Sequence, residues 1–120
     1  MTAPLILIVD SNRSNLEHLT QQLVEEGYAT AGASSLEEMD NAIEEHESIK
    51  LALIDLTGFD DSIWERCDRM HEARTPFIVI MSQRSPVLQR DSMKHGAACL
   101  LVKPLGVKEL IEHIHAVLGD

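Results

Sequence analysis

Four polar residues stand directly after short apolar runs, at positions from which their side chains can act together. They are Asp10, Asp55, Ser82 and Lys103. An unbroken apolar run is typical of a strand that is buried on both faces of a parallel sheet. In open α/β sheets, ligands bind where the carboxyl ends of such strands meet. We therefore expect the four side chains to converge at one edge of a sheet.

The chemistry open to these groups is that of a reversible phosphoryl acceptor. A carboxylate such as Asp55 can attack phosphorus and form an acyl phosphate. Asp10 and Asp55 offer hard oxygen ligands to Mg²⁺, and Lys103 offers a compact positive charge to a phosphoryl oxygen. The Ser82 hydroxyl can hydrogen-bond to that phosphoryl group once it is in place.

The elements that must position these groups follow a βα pattern repeated five times. Strands alternating with helices indicate a parallel sheet covered on both faces, a doubly wound α/β fold with strand order 2-1-3-4-5. That order places the first and third strands side by side, and with them Asp10 and Asp55. The second strand, rich in small residues, is expected at an edge. Strands are predicted at 5–9, 28–33, 51–55, 77–81 and 98–102, and helices at 13–26, 35–47, 62–72, 85–95 and from 107 onward.

Apolar stripes at helical spacing indicate which side of a helix faces the core. The fourth helix is the weakest prediction, because its clearly apolar residues are few. The stripe of the first helix is Leu16, Leu19, Leu23 and Val24, and the apolar residues of the fourth are Val87, Leu88 and Met93.

Composition limits the class of protein. A chain of 120 residues predicts one domain, 1–120. The net charge of −10, from 20 acidic and 10 basic residues, argues against direct nucleic-acid binding. Because the sequence contains neither a membrane-spanning apolar run nor a signal peptide, we expect a cytoplasmic protein without membrane contact. Cys67 and Cys99 are then expected to be free, buried thiols.

Four stretches of the chain resemble the response-regulator receiver domain of two-component signalling, of the single-domain chemotaxis-regulator type. They read LILIVD at 5–10, LALIDL at 51–56, IVIMS at 78–82 and GAACLLVKP at 96–104. The resemblance covers essentially the whole chain. It implies a flavodoxin-like fold and a signalling module that is not an enzyme. It also implies Mg²⁺, a histidine kinase or phosphotransfer protein as phosphodonor, and a downstream protein or fused output domain as the regulated partner.

The resemblance also implies roles for individual residues. Asp55 would be the phosphoacceptor, Ser82 the hydroxyl switch and Lys103 the phosphate-binding group. The Lys103–Pro104 peptide is often cis in such domains. The fourth helix, fifth strand and fifth helix would form the partner face, with Leu88, His95 and Leu100 among its residues. The Mg²⁺ ligands would be Asp10, Asp55 and the backbone carbonyl of Thr57.

Some residues depart from the family pattern. The family usually ends its first strand with two adjacent acids, and Ser11 stands in place of the second, which is the direct Mg²⁺ ligand. A neutral hydroxyl binds a hard cation more weakly than a carboxylate, so we expect weak Mg²⁺ binding. Leu100 stands at the aromatic switch position, which removes the usual coupling to Ser82. Gln83 follows Ser82, where the family favours a small residue, and would narrow access to Asp55.

Three functional hypotheses remain open from the sequence. The first is a receiver phosphorylated on Asp55. The second is a pseudo-receiver that binds a protein partner without phosphorylation, which Ser11 and Leu100 favour. The third is a small aspartate-based phosphatase using Asp10, but the chain lacks the second acid and the cap that such an enzyme needs.

Structural alternatives also remain for several of these residues. Asp10 can be a helix cap, Ser82 an ordinary loop residue, and Asp60 and Asp61 solvated surface acids. Cys67 and His71 lie four apart, as metal ligands can, but packing is the simpler interpretation. His113 and His115 are two apart, so they are expected to point to different faces of their helix, and the remaining histidines are expected to be solvated surface groups.

Overall fold

Strands and helices alternate five times along the chain. The computed structural model describes residues 3–119, so positions 1, 2 and 120 of the expected domain lie outside the description. The strands are β1 (Leu5–Val9), β2 (Ala29–Ala33), β3 (Ile49–Asp55), β4 (Phe77–Met81) and β5 (Cys99–Val102). The helices are α1 (Arg13–Glu25), α2 (Leu36–Glu45), α3 (Ile63–Glu72), α4 (Pro86–Lys94) and α5 (Val107–Leu118).

The five strands form one parallel sheet in the order β2-β1-β3-β4-β5. This confirms the predicted doubly wound, flavodoxin-like order and the edge position of β2. Alternate strand residues point to opposite faces. Leu7 and Val9 of β1 join a core formed with α2 and α3, whereas Ile6 and Ile8 join a core formed with α1 and α5. The sheet is therefore buried on both faces, which explains its unbroken apolar runs.

Several element boundaries differ from the prediction. β3 begins at Ile49 instead of 51, and its pairing with β1 shifts register between Leu5 and Ile6, which leaves Lys50 outside the ladder. The charged side chain of Lys50 interrupts the apolar pattern that predicted the strand. β2 and β5 each begin one residue later than predicted, and α2 ends at Glu45 instead of near 47.

Three apolar residues that were predicted to face the core are exposed. Val24 is 54% exposed, because it lies about 100° around α1 from Leu23 and so falls off the stripe that faces the sheet. Val87 and Met93 of α4 are also exposed. The buried residue of α4 is Ser92, whose hydroxyl donates a hydrogen bond of 2.6 Å to the Leu88 carbonyl.

Side chains cap the three helices that follow β1, β2 and β4. Asn12, Ser35 and Ser85 each accept a hydrogen bond from the backbone N–H three residues further on, and Pro86 opens α4. None of the helices within residues 3–119 combines the length and the apolar character needed to cross a membrane.

Candidate functional site

The carboxylates of Asp10 and Asp55 lie at the carboxyl ends of neighbouring strands. The β1–β3 register pairs Val9 with Ile54, and the residue that follows each of these two in the sequence is one of the acids. Both residues are buried, with 7% of Asp10 and 3% of Asp55 exposed. Two buried carboxylates side by side repel each other and need compensation by positive charge or hydrogen-bond donors.

Lys103 supplies the positive charge. Its Nζ lies 2.5 Å from Oδ2 of Asp55, while Oδ1 of Asp55 accepts a 2.9 Å hydrogen bond from the Thr57 amide. The Lys103 side chain is 37% exposed, so the ion pair reaches from the buried edge towards solvent. The Lys103–Pro104 peptide is cis, as the sequence resemblance implies.

Asp10 is not the N-cap of α1. That position belongs to Asn12, whose side chain accepts from the Asn15 amide at 3.0 Å. The Asp10 carboxylate instead accepts a 2.9 Å bond from the Asn12 amide, just before the helix. Burial raises the pKa of Asp10 above its ordinary value, with a smaller contribution from Asp55, against the downward pull of the Asn12 amide and of Lys103.

Hydroxyl groups connect the ends of three strands. Ser11 Oγ, after β1, donates a 2.8 Å hydrogen bond to the backbone carbonyl of Thr57, after β3. Thr57 Oγ1 in turn hydrogen-bonds to Ser82 Oγ, after β4. Sequence reasoning identified Ser11 as a missing acid but did not foresee this bond, because the two residues are 46 positions apart.

Two cavities open beside this edge. One, of about 300 Å³, is bounded by Asp10, Asp55, Lys103, α1 and the start of α5. The other, of about 370 Å³, lies between the loops that follow β3 and β4, over Trp64 and Leu88. Gln83 lines this second cavity, so it stands on the Ser82 side of the site and not across the cavity that Asp55 lines.

The oxygen atoms at this edge are of the chemical types that bind a hard divalent cation. Asp10 and Asp55 bring carboxylate oxygens and Thr57 a carbonyl oxygen, which are ligand types that Mg²⁺ takes. A cation between the carboxylates would relieve the repulsion that contributes to the raised pKa of Asp10. Ser11 adds no charge to the set. Within residues 3–119, no group of three or more His, Cys, Asp or Glu side chains is arranged to hold a metal ion.

The structural interpretation holds for Cys67 and Asp60. Cys67 is fully buried, and burial raises the pKa of its thiol to about 12, so pairing with the exposed His71 as a metal ligand is not favoured. Asp60 accepts a 2.9 Å hydrogen bond from the Ser62 amide, where α3 begins.

Two histidines lie within hydrogen-bonding distance of side chains, and a third, His115, has its ring centroid 6.2 Å from that of Tyr28. His95, which was expected only on the partner face, stacks on Trp64 with ring centroids 5.1 Å apart and contacts Asp68 at 2.6 Å. His113 has its Nδ1 3.5 Å from the Sγ of Cys99, a free thiol that is half-buried and not fully buried as predicted. Neither contact has a local sequence signal.

Comparison with known proteins places this geometry in a family. The sequence matches the family model described as the response regulator receiver domain over residues 6–115. A CheY-like response regulator receiver domain protein from Methanospirillum hungatei JF-1 is 29% identical, with a TM-score of 0.87 over 98% of this chain and 95% of that chain. A receiver protein from Pseudomonas putida is 26% identical, with a TM-score of 0.85 over 97% and 98% of the respective chains.

A Burkholderia pseudomallei response regulator, solved with a phosphorylated aspartic acid, calcium ion and citrate, has the same fold. It is 20% identical, with a TM-score of 0.83 over 97% of this chain and 69% of that chain. The family match covers nearly all of the sequence, and the sheet order agrees with it. The chain therefore belongs to the response regulator receiver domain family.

Proposed function

We propose that residues 1–120 form a single receiver domain that accepts a phosphoryl group on Asp55 from a histidine kinase or phosphotransfer protein. The observation that best supports this is the 2.5 Å ion pair between Lys103 and Asp55. The Asp55 side chain is only 4% exposed, and a buried carboxylate is costly even when it is paired. The second buried carboxylate, that of Asp10, adds to this cost. Two buried acids would not be needed if this edge of the sheet were purely structural.

In the proposed reaction, an Asp55 oxygen forms a bond to phosphorus, and the bond between phosphorus and the nitrogen of the donor's phosphohistidine breaks. The released imidazole takes up a proton. Lys103 is close enough to move its Nζ from Oδ2 to a phosphoryl oxygen, and Ser82 can exchange its bond to Thr57 for another phosphoryl oxygen. No side chain has to act as a general base, because Asp55 attacks as a carboxylate.

Asp10, Asp55 and the Thr57 carbonyl would hold a divalent cation, weakly because Ser11 contributes no charge. When bound, the cation would neutralise negative charge on the phosphoryl oxygens. The calcium ion and phosphorylated aspartate of the Burkholderia relative support this class of chemistry.

The test is intact-mass spectrometry after incubation with a small acyl phosphate, with and without Mg²⁺. We expect a Mg²⁺-dependent adduct of one phosphoryl group on the wild type and none on Asp55→Asn. Asp61→Asn, a change to an exposed acid in the following loop, is the matched control and should be phosphorylated like the wild type. An adduct that persists in Asp55→Asn, or its absence from the wild type at every Mg²⁺ concentration, would contradict the proposal.

The proposed output surface is formed by α4, β5 and α5. It includes the partly buried Leu88 and Leu100 and the exposed Val87 and Met93, so apolar groups are available to a protein partner. Receiver domains in general communicate with histidine kinases and output partners, and we propose a cytoplasmic module without catalytic activity of its own that acts on a downstream protein or a fused output domain.

A second candidate function is that of a pseudo-receiver that binds its partner without phosphorylation. It is favoured by the bond that Ser11 makes to the Thr57 carbonyl and by Leu100 at the aromatic position. If this function is correct, a partner captured by the wild type will bind Asp55→Asn with equal affinity, before and after acyl-phosphate treatment.

A further inference from the structure

We propose that the Ser11 hydroxyl fastens the loop after β3 when no cation is present, so that a divalent cation has to compete with Ser11 for the Thr57 carbonyl. This inference rests on the proposed receiver function, because it concerns the loop next to the proposed phosphorylation site. It makes Ser11 a positioning residue of the phosphorylation-site loop instead of a passive replacement for an acid.

The contacts of Ser11 are specific to this loop. Its Oγ donates to the Thr57 carbonyl at 2.8 Å, and the Thr57 amide is held at 2.9 Å by Asp55. Both polar groups of Thr57's backbone are therefore bonded to residues of the site. The adjoining Gly58 has φ +85°, and a Cβ there would collide with Ser11 Oγ. The loop thus packs directly against the serine side chain, which leaves little space between them.

The proton of the Ser11 hydroxyl explains how this close contact is tolerated. A hydroxyl can donate to a carbonyl oxygen, whereas a carboxylate at neutral pH only accepts. A carboxylate at position 11 would face the Thr57 carbonyl as a second acceptor, close to the buried acids Asp10 and Asp55. Two acceptors facing each other are satisfied by a cation between them. An acid at position 11 would be joined to the Thr57 carbonyl through a bound cation. Ser11 is joined to the same carbonyl directly, through its hydroxyl proton.

The hydroxyl network continues to Ser82. Thr57 Oγ1 and Ser82 Oγ are hydrogen-bonded, so contacts run from the end of β1 through the loop after β3 to the end of β4. All three residues are exposed, and a hydrogen bond between exposed neutral groups adds little net stability, because water competes for both partners. The network is thus weak enough to be opened by a competing ligand, and it holds Ser82 on Thr57 while Asp55 is unmodified.

Calorimetric titration with MgCl₂ alone, without phosphodonor, tests the competition. Ser11→Ala removes the competing donor without adding charge and should bind Mg²⁺ about fivefold more tightly than the wild type, the factor that corresponds to one hydrogen bond of about 1 kcal/mol. Ser11→Asp should bind more tightly still, because it adds a carboxylate ligand. Ser14→Asp adds the same charge to the exposed side of α1 and should behave like the wild type. A Mg²⁺ affinity of Ser11→Ala equal to or weaker than that of the wild type overturns the proposal.

Hydrogen–deuterium exchange in EDTA tests directly whether the bond from Ser11 to the Thr57 carbonyl stabilises the loop after β3. This measurement does not depend on how well Ser11→Asp folds. Peptides covering residues 56–62 should exchange about fivefold faster in Ser11→Ala than in the wild type, as expected for the loss of one hydrogen bond of about 1 kcal/mol. Exchange at the wild-type rate overturns the proposal. Neither measurement uses a phosphodonor, so a chain that fails to be phosphorylated can still pass both.

Discussion

At the residue scale, the site depends on how one buried carboxylate is compensated. Asp55 receives the Thr57 amide on one oxygen and Lys103 on the other. The Asp10 carboxylate is held by the Asn12 amide, and burial raises its pKa. The positive charge of Lys103 thus lies beside Asp55, the residue proposed to be phosphorylated, where it would also contact the incoming phosphoryl group.

The Lys103–Asp55 pair should show energetic coupling. Lys103→Met should lower the free energy of unfolding by about 2 kcal/mol, between the values for buried and surface pairs, because Lys103 is 37% exposed. In an Asp55→Asn background the same change should cost about 1 kcal/mol less, since no buried charge loses its partner. Urea denaturation measures both. Lys108→Met, on the exposed side of α5, is the control, and equal losses in the two backgrounds would contradict the coupling.

At the element scale, ion pairs join α2 to α3 on the face away from α1. Arg66 contacts both carboxylate oxygens of Asp40, at 2.9 and 2.8 Å, and Arg69 approaches the same group at 3.4 Å. The Arg66 guanidinium, first by hydrogen bonding and then by its charge, holds the pKa of Asp40 below its ordinary value of 3.8. This bidentate contact links α2 to α3.

Asp40→Asn should destabilise the protein by about 1 kcal/mol at neutral pH, as expected for a bidentate pair near the surface. Because the pKa of Asp40 is lowered by folding, its stabilisation is full above pH 3.8 and is lost as the pH falls through the folded-state pKa. Urea denaturation at neutral pH and below pH 3.8 should therefore show the difference between wild type and variant shrinking in acid. Glu17→Gln, an exposed acid on α1, controls for loss of charge, and a pH-independent difference would refute the assignment.

The helix α4 is attached at its C-terminal end to α3. His95 stacks on Trp64 at an interplanar angle of 8° and bonds to Asp68, and Ser92 is the buried residue of the helix. A serine in that position buries little apolar surface. We therefore expect the contacts of His95 with Trp64 and Asp68 to contribute a large part of the free energy that holds α4 in its orientation. Since α4 belongs to the proposed output surface, its attachment bears on signalling.

Trp64 is the only tryptophan in the sequence and therefore reports on this attachment. His95→Ala should expose the indole, which is now 8% exposed, and shift its fluorescence emission to longer wavelength. His46→Ala, which changes a histidine at the end of α2, should leave the emission unchanged. An unshifted spectrum in His95→Ala would show that α4 is held by other contacts.

At the scale of the whole molecule, periodicity in the sequence predicted the architecture, whereas contacts that cross the fold were not predicted. Apolar runs and the βα alternation predicted the sheet order and the convergence of Asp10 and Asp55. The bulge at Lys50 and the bond from Ser11 to Thr57 were not predictable in this way. Periodicity tells which face a residue occupies, but it does not identify a partner 46 positions away, nor which of two strands gains an extra residue.

The net charge of −10 on a molecule with a radius of gyration of 13.0 Å should make its stability depend on salt. At about 0.01 M salt the Debye length is about 30 Å, comparable with the 28 to 39 Å extents of the molecule, so like charges repel each other across the fold. At about 0.15 M it falls to about 8 Å, and most of this repulsion is screened. Raising NaCl from about 0.01 M to about 0.15 M should therefore raise the melting temperature measured by calorimetry.

The salt effect should disappear at a pH near the isoelectric point of 4.9, where the net charge is small. That comparison separates screening of repulsion from general salt effects, which do not vanish there. A melting temperature that falls with salt at neutral pH would mean that attractive pairs such as Arg66–Asp40 outweigh the excess of acids. If repulsion dominates, a partner that brings positive charge to the acidic surface will stabilise the domain on binding and associate faster at low salt.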